Sequence, residues 1–191
     1  MKEKIVKIVK KDGFTNIGIV GIPLVIFFMW IITCWKLTYQ VHDDRYMMEF
    51  VSGKFLGYSD AHLIYIKYPL ALCLQIMYHL FPGFDWYATM ILMIQIGMTG
   101  IWNWYLVKKQ KTVKRKIIST IVFYSLFIFC WINEITCFTY TTAAALVGAV
   151  IVVVYALGED TKKDFILLLI LSFLAYNLRQ DLFLWCYQYV L

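Results

Sequence analysis

The stretch that decides the fold is WYATMILMIQIGMTGIWNWYLV at residues 86–107, which is followed directly by KKQKTVKRK at residues 108–116. The first part carries no charged residue, and about 20 apolar residues in a helix suffice to cross the hydrocarbon core of a bilayer. A dense block of Lys and Arg beside such a run is typical of a cytoplasmic loop. The pair therefore predicts a transmembrane helix that enters the cytoplasm at residue 108.

The composition of the whole chain supports a membrane protein. Its 191 residues are 62% hydrophobic and only 16% charged, and the mean hydropathy is +0.70. Soluble domains are about half apolar and a quarter charged. The net charge of +6 comes from short basic blocks between apolar runs, without the basic stripe typical of nucleic-acid-binding proteins. We predict membrane lipid, and no nucleic acid, as a partner.

The N-terminal segment sets the direction of the first crossing. Residues 1–16 are rich in lysine, which predicts a cytoplasmic start. Residues 17–39 then form the first predicted span, and Pro23 inside it is compatible with a membrane helix. Since this helix leaves the cytoplasm, one further span must bring the chain back to the basic block.

The segment between these two spans, residues 40–85, is predicted to be an outer loop with one or two surface helices. Its first part reads VHDDRYMMEFVSGKFLGYSDAH at residues 41–62, the longest polar stretch of the chain. Apolar residues at near-helical spacing predict a short amphipathic helix on the membrane surface. These apolar residues are Met47, Phe50, Val51 and Phe55.

The second part of this loop, residues 63–81, leaves two alternatives. It is apolar enough to span the membrane, but Pro69 suits the first turn of a helix. The helix would then cover only residues 69–81, about 20 Å, which is shorter than the bilayer core. A crossing here would also place residues 108–116 outside. We therefore favour an interfacial or re-entrant helix over a spanning one.

The rest of the chain completes an all-α membrane protein of about five transmembrane helices in a single multipass domain. The remaining predicted segments are spans at 117–136, 139–157 and 165–186 and a cytoplasmic loop at 158–164. Most acidic residues then fall on the outer side. The chain stops directly after an outward helix without a closing polar tail, so we expect a longer protein.

An acidic pair follows the first span, at Asp43 and Asp44. Adjacent carboxylates repel, so one of them holds its proton more tightly than a lone aspartate, as a general base for a hydroxyl requires. The two also suit a Mg²⁺ or Mn²⁺ ion that bridges phosphate oxygens. The alternative is a solvated loop with an aspartate as helix N-cap and an Arg45–Glu49 pair.

Two more polar groups lie farther along. Asp60 and His62 would join the acidic pair in one pocket, or would cap the next helix and face water. Arg179 and Asp181 lie within or at the end of an otherwise apolar helix, where ionisable residues usually face a cavity. Arg179 would hold a lipid phosphate, or would form a structural ion pair or snorkel to the headgroups.

The stretches HDDRYMMEFVSGKFLGYSDAHLIYIKYPL (residues 42–70) and FPGFDWYATMIL (residues 81–92) carry a resemblance. After a signal-anchor and an acidic pair, the chain resembles the N-terminal part of GT-C-type bacterial membrane glycosyltransferases, which use polyprenyl-phosphate sugars. It is most similar to uncharacterised multipass proteins of that broad type. The Lys67-Tyr68-Pro69-Leu70 step has one proline where the family commonly has two.

The resemblance implies a site and a location. Asp43 or Asp44 would be catalytic, and a polyprenyl-phosphate sugar would be bound by further residues at the outer face of a bacterial plasma membrane. These substrate-binding residues would be Asp60, His62, Lys67 and Arg179. Full-length members have more helices, so this chain would need those partner helices and would be inactive alone. The alternative function is a non-enzymatic component of a lipid-linked glycan exporter or other transporter.

Overall fold

The computed structural model describes residues 2–181, with side chains from residue 13 onward. This part of the chain contains seven α-helices and one pair of two-residue strands. The helices are α1 (Lys2–Cys34), α2 (His42–Ser52), α3 (Tyr68–Leu80), α4 (Trp86–Lys108), α5 (Val113–Thr136), α6 (Tyr140–Leu157) and α7 (Lys162–Leu178). The strands are β1 (Thr38–Tyr39) and β2 (Cys137–Phe138), which pair in parallel.

Within residues 2–181, four segments are long and apolar enough to cross a membrane: Gly13–Cys34, Trp86–Lys108, Val113–Thr136 and Tyr140–Leu157. The all-α membrane fold is therefore confirmed, and the chain is a multipass membrane protein. Helix α4 is central and packs against α1, α5 and α6, while α7 packs along α6. Small residues on α6, Ala143 and Ala144 among them, are almost fully buried and let neighbouring helices approach closely.

The helices define two ends of the bundle. The "acidic end" is where α1, α5 and α7 finish and α4 and α6 begin, and it also carries both strands, α2 and α3. The "basic end" is where α4 and α6 finish and α5 and α7 begin, and it carries the lysine-rich segment 108–116. The polar chemistry of the two ends differs, as described below.

The first predicted span is displaced toward the N-terminus. It was expected to reach residue 39, but α1 ends at Cys34, and Thr38 and Tyr39 pair with Cys137 and Phe138 instead. The β-branched and aromatic side chains here favour extended backbone, and pairing supplies partners for backbone groups that a frayed helix end would leave open. This strand pair fastens the exit of α1 to the turn between α5 and α6.

Helix α2 packs its apolar side against the protein. Met47 and Val51, two members of its predicted lipid-facing stripe, are 1% and 0% exposed and pack into the bundle core. The helix ends at Gly53, whose φ of +79° suits glycine. A Cβ at that position would lie 2.9 Å from the backbone nitrogen of Ser59. The loop that follows α2 can therefore pass this close only because residue 53 is glycine.

Helix α3 has the short length that Pro69 predicts. Its 13 residues begin at Tyr68, with Pro69 in the first turn, and at 1.5 Å per residue they extend about 20 Å. This is less than the hydrocarbon core of a bilayer. The length fits an interfacial or re-entrant helix.

Helix α7 ends earlier than predicted. The fifth span is predicted over residues 165–186, but α7 ends at Leu178 and Arg179 is extended with φ −161° and ψ 107°. The backbone is helical again at Gln180 and Asp181. The backbone N–H of Lys67 donates to the carbonyl of Asn177 at 2.8 Å, so the loop before α3 uses a carbonyl of the last turn. Residues 182–186 of the predicted span lie outside the described part of the chain.

Candidate functional site at the acidic end

Asp44 is a buried residue that connects three helices, α2, α4 and α6, through hydrogen bonds. It lies in the first turn of α2 and is 0% exposed. Its Oδ1 accepts hydrogen bonds from the hydroxyl of Tyr87 at 2.7 Å and from the backbone N–H of Tyr140 at 2.9 Å. Tyr140 opens α6, so the carboxylate occupies the N-terminus of that helix, where negative charge is favourable.

The second carboxylate oxygen of Asp44, Oδ2, has fewer hydrogen-bond partners than Oδ1 among the described residues. The side chain of Thr139 is near enough to favour the charged carboxylate, but Oδ2 has no hydrogen bond of normal geometry. Burial is the largest influence and raises the pKa of Asp44 above its ordinary value, against the lowering effect of the hydrogen bonds from Tyr140 and Tyr87. Asp44 therefore retains a proton more readily than a solvated aspartate does.

Asp43 has the opposite surroundings. It is exposed, because neighbouring residues on a helix point about 100° apart. The alternative role of the pair as N-cap is wrong, since Val41 is the N-cap of α2 and makes no side-chain cap. The accompanying Arg45–Glu49 ion pair is confirmed, with 3.0 Å between Nε and Oε1.

The predicted metal site gains no further ligands from the fold. Within the described residues, no three His, Cys, Asp or Glu side chains gather closely enough to hold an ion. One oxygen of Asp44 already accepts two hydrogen bonds, and Asp43 points to a different side. The described donor set does not fit a resident Mg²⁺ or Mn²⁺ ion.

Asp60 and His62 form a pair of their own. Asp60 Oδ1 accepts the backbone N–H of His62 at 2.9 Å and lies 2.7 Å from its Nδ1. The backbone hydrogen bond, followed by the one to the ring, lowers the pKa of Asp60. The His62 side chain is 79% exposed, and its ring lies 5.3 Å from that of Tyr68. Asp60 does not cap α3, whose N-cap is Lys67.

Arg179 is held inward, against α6. Its Nη1 donates to Thr141 Oγ1 at 2.8 Å, and its guanidinium carbon lies 5.8 Å from the ring centre of Tyr140. Between residues 13 and 181, no carboxylate lies within ion-pair distance of it. The alternative of an ion pair with Asp181 is therefore not formed.

Lys67 also contacts the end of α7, through its backbone N–H. Its N–H bond to Asn177 fastens the loop before α3 two residues from Arg179. Two residues earlier, Tyr65 stacks on Tyr140 with ring centres 5.0 Å apart and planes 12° from parallel. Tyr140 therefore contacts Asp44 through its backbone, and both Arg179 and Tyr65 through its ring.

These contacts define a cluster that we call the Tyr140 cluster. It consists of Asp44, Tyr65, Lys67, Tyr140 and Arg179. Three of its members were predicted as site residues, whereas the two tyrosines carry no distinguishing pattern in the sequence. Among the described hydrogen bonds and ion pairs, none joins Asp60 or His62 to Asp44.

A second hydrogen-bonded group beside the cluster was also missed. Asp85, the N-cap of α4, accepts the hydroxyls of Tyr39 at 2.6 Å and Tyr78 at 3.1 Å. Tyr78 in turn accepts the backbone N–H of Tyr87 at 3.1 Å. Burial, reinforced by Asp85, raises the pKa of Tyr39, and burial also raises the pKa of Tyr78. Both hydroxyls therefore stay protonated and act as donors. The hydrogen bond to Tyr78 also helps to fix the position of Tyr87, whose hydroxyl binds Asp44.

No match to this chain was found among protein-family models, curated proteins or solved structures. The interpretation of the site therefore depends on its geometry and on the sequence. Within the described residues, the arrangement offers two cations without a carboxylate partner, Arg179 and Lys67. The buried carboxylate of Asp44 and the exposed carboxylate of Asp43 lie at the same end of the membrane bundle.

Proposed function

We propose that this chain belongs to a glycosyltransferase-like membrane protein, which moves a sugar from a lipid-phosphate carrier to a hydroxyl acceptor at the membrane face of the acidic end. The observation that carries the proposal is Arg179. Its guanidinium is fixed by Thr141 and Tyr140 at the end of the bundle, and no carboxylate of residues 13–181 lies within ion-pair distance of it. A planar guanidinium binds phosphate oxygens in a bidentate manner.

The depth of the cluster suits a lipid carrier. Arg179 follows the end of α7 and lies beside the start of α6, where helices of membrane-spanning length leave the hydrocarbon and reach the headgroups. A phosphate attached to an anchored lipid sits at that level.

The two carboxylates of the acidic pair, Asp43 and Asp44, have different roles in this proposal. The acceptor oxygen attacks the anomeric carbon, the bond from that carbon to the phosphate oxygen breaks, and the electron pair stays on the phosphate beside Arg179. The proton of the acceptor hydroxyl passes to Asp43, which is the exposed member of the acidic pair. Asp44 acts as a positioning residue, since it holds α2 against α4 and α6.

A second candidate is a transport component, favoured by a buried polar stripe on α4. Gln95, Thr99 and Asn103 are each 0% exposed, and they recur every four residues within a spanning helix. Gln95 Oε1 and Asn103 Nδ2 have no hydrogen-bond partner among the side chains described, residues 13–181. Transporters bind substrates near the middle of the membrane, so this stripe, rather than Arg179, would then control ligand binding.

The proposal is tested by binding of decaprenyl phosphate to the purified chain in lipid nanodiscs, with the dissociation constant measured by native mass spectrometry. We expect Arg179→Gln to weaken binding about 10- to 100-fold, the range for losing a hydrogen bond to a charged group. The matched control is Arg115→Gln, an exposed arginine in the first turn of α5 at the basic end, which should bind as the wild type does.

Two results would overturn the proposal. Equal affinities of the wild type and Arg179→Gln would remove the phosphate role. Binding that is lost in Asn103→Leu but kept in Arg179→Gln would favour the transport component. In a transfer assay on the same preparation supplemented with any further helices of the protein, Asp43→Asn should slow turnover about 10²–10⁴-fold while decaprenyl phosphate still binds.

A further inference from the structure

Two neighbouring cavities lie along one side of α4, near the basic end. The first, which we call the lysine cavity, has a volume of about 620 Å³ and is lined by Lys108, Lys162 and Lys163. The second, which we call the apolar groove, has a volume of about 390 Å³ and lies between α1, α4 and α7. Trp104 and Tyr105 line both cavities. The two spaces are therefore separated by no more than the length of one aromatic side chain.

The lysine cavity offers positive charge to a ligand. Lys162 and Lys163, the first two residues of α7, are exposed and form no ion pair among side chains 13–181. Lys108 is held in place by Glu159, with 2.9 Å between Nζ and Oε2, and by the ring of Tyr105. Two ammonium groups at this cavity thus remain available for an anion.

The second carboxylate at the lysine cavity, Asp164, already has its donors. Its oxygens accept hydrogen bonds from the hydroxyls of Tyr105 and Thr161 and from the backbone N–H of Glu159. Three lysines and two carboxylates leave the lining with a net charge of +1. Residues 109–116, which follow Lys108 directly, add five cations and no acidic residue. An anion is therefore favoured here over a cation.

The apolar groove extends from the lysine cavity into the membrane-spanning part of the bundle. Apart from Trp104 and Tyr105, its lining consists of aliphatic side chains and two glycines. On α4 it covers residues 96–105, which rise about 14 Å along the helix axis. A Cβ at Gly97 would meet no described atom within 4 Å. The groove is thus open beside Gly97, and its dimensions suit a hydrocarbon chain.

We infer that the lysine cavity and the apolar groove together bind one anionic phospholipid, with its phosphate at Lys162 and Lys163 and an acyl chain beside Gly97. Lysine binds phosphate as a point charge, and basic pockets between membrane helices bind anionic headgroups. The glycerol backbone would lie at Trp104 and Tyr105, residue types that collect at the membrane interface. This inference does not depend on glycosyl transfer at the acidic end.

A simpler explanation for lysines at this end is orientation of the chain by positive charge in general. That explanation needs no particular lysine and no groove. A bound phospholipid needs both, because its phosphate and its acyl chain are held by different residues. The two explanations therefore differ in the effect of removing either part alone.

The experiment measures dissociation constants of the full chain in detergent micelles by native mass spectrometry. The probes are dioleoyl phosphatidylglycerol, which is anionic, dioleoyl phosphatidylcholine, which has the same chains and no net charge, and dihexanoyl phosphatidylglycerol, which has short chains. The headgroup variant is Lys162→Gln/Lys163→Gln. Its matched control is Lys114→Gln/Arg115→Gln, which removes two adjacent exposed cations from the first turn of α5 at the same end.

The groove variant is Gly97→Leu, which places a side chain in the open space. Its control is Gly18→Leu on α1, where a Cβ also meets no described atom within 4 Å. Gly18 does not line the groove, since it is two residues from the lining residue Val20 and such neighbours lie on opposite sides of a helix. The unfolding temperature of each variant is measured as a check on folding.

We expect the wild type to bind dioleoyl phosphatidylglycerol about 10- to 30-fold more tightly than dioleoyl phosphatidylcholine, the range for two lysines near an anionic headgroup. Lys162→Gln/Lys163→Gln should lose this preference, whereas Lys114→Gln/Arg115→Gln should keep most of it. Arg179→Gln, at the opposite end, should keep it fully.

The groove variant should have a different effect. Gly97→Leu should weaken both dioleoyl probes about 10-fold, as expected when two methylene groups lose their binding site. It should leave dihexanoyl phosphatidylglycerol unchanged, and Gly18→Leu should bind all three probes as the wild type does.

Three results would each overturn the inference: equal affinity of the wild type for the two dioleoyl probes, equal losses in the two double variants, or unchanged binding of dioleoyl phosphatidylglycerol by Gly97→Leu. A dimer that is lost in Gly97→Leu while the lipid affinities stay the same would show that a second copy of the chain fills the groove instead. All of these results are independent of decaprenyl phosphate binding at Arg179, so they are distinct from failure of the proposed function.

Discussion

Two buried aspartates, at opposite ends of the bundle, receive a tyrosine hydroxyl from the same helix. Asp44 at the acidic end binds Tyr87, near the start of α4, and Asp164 at the basic end binds Tyr105, near the end of α4. Each also lies at the N-terminus of a helix, α6 for Asp44 and α7 for Asp164. The two differ in how completely their oxygens are bonded.

Both oxygens of Asp164 have partners close by in sequence or in space. Oδ1 accepts from Tyr105, while Oδ2 accepts from the hydroxyl of Thr161 at 2.9 Å and from the backbone N–H of Glu159 at 3.1 Å. Asp44 has one oxygen with two donors and one without a hydrogen bond of normal geometry. Both oxygens of Asp164 are therefore occupied by donors, whereas Oδ2 of Asp44 can still accept a proton or a hydrogen bond.

The largest expected effect concerns the membrane sides of these two ends. The charge pattern predicts that the basic end is cytoplasmic and the acidic end external. In a variant whose five cysteines are replaced by serine, a cysteine at Lys54 should react in intact cells with a membrane-impermeant maleimide. A cysteine at Lys111 should react only after permeabilisation. Both positions are exposed in the structure. Labelling of the Lys111 position in intact cells would show that the basic end is external, and the predicted orientation would then be wrong.

The next effect is on stability. We expect Asp164→Ala to lower the free energy of unfolding by about 2–4 kcal/mol, from a lost helix cap and an unsatisfied buried hydroxyl on Tyr105. Asp44→Ala should lower it by about 1–3 kcal/mol, since Thr139 still caps α6 and the burial of a carboxylate is relieved. Unfolding in detergent, followed by tryptophan fluorescence, measures both. A greater loss for Asp44→Ala would show that Asp44 is the more important structural group.

The smallest effect is the pH dependence at Asp44. Burial raises its pKa in the folded protein, so its contribution to stability is present at low pH and is lost as the pH rises through the folded-state value. Relative to Asp44→Asn, which cannot ionise, the wild type should lose stability as the pH increases from about 4, the ordinary pKa of aspartate. The measurement is the difference in unfolding temperature between the two proteins over pH. Parallel curves would mean that Asp44 titrates normally.

The sequence predicts the local features of this fold better than the distant ones. Pro69 marks the start of α3, as the sequence predicts. The capping box of Thr161 and Asp164 was not predicted, but it is a signal of the same local kind. Such signals act within one helical turn, so residue type and spacing suffice to predict them.

The site depends on contacts that spacing cannot predict. Asp44 and the backbone of Tyr140 are 96 residues apart. Every residue except proline has a backbone N–H, so residue type does not indicate which one a distant carboxylate will bind. The end of α7 at Leu178 was likewise missed, because neither glycine nor proline follows it, and its position coincides with a bond from the distant Lys67 backbone. The ionisable residues of the Tyr140 cluster were predictable as candidates, but their assembly around a tyrosine was not.

The strand pair has a consequence for biosynthesis. Thr38 and Tyr39 leave the ribosome long before their partners Cys137 and Phe138, and a contact between segments so far apart must wait for the second segment. While α4 and α5 are being synthesised, Asp44 lacks the hydrogen bond from the backbone N–H of Tyr140. Closure of the acidic end is thus a late event, completed only when the start of α6 has been synthesised, and a nascent chain halted before that point would display an open loop and an unburied Asp44.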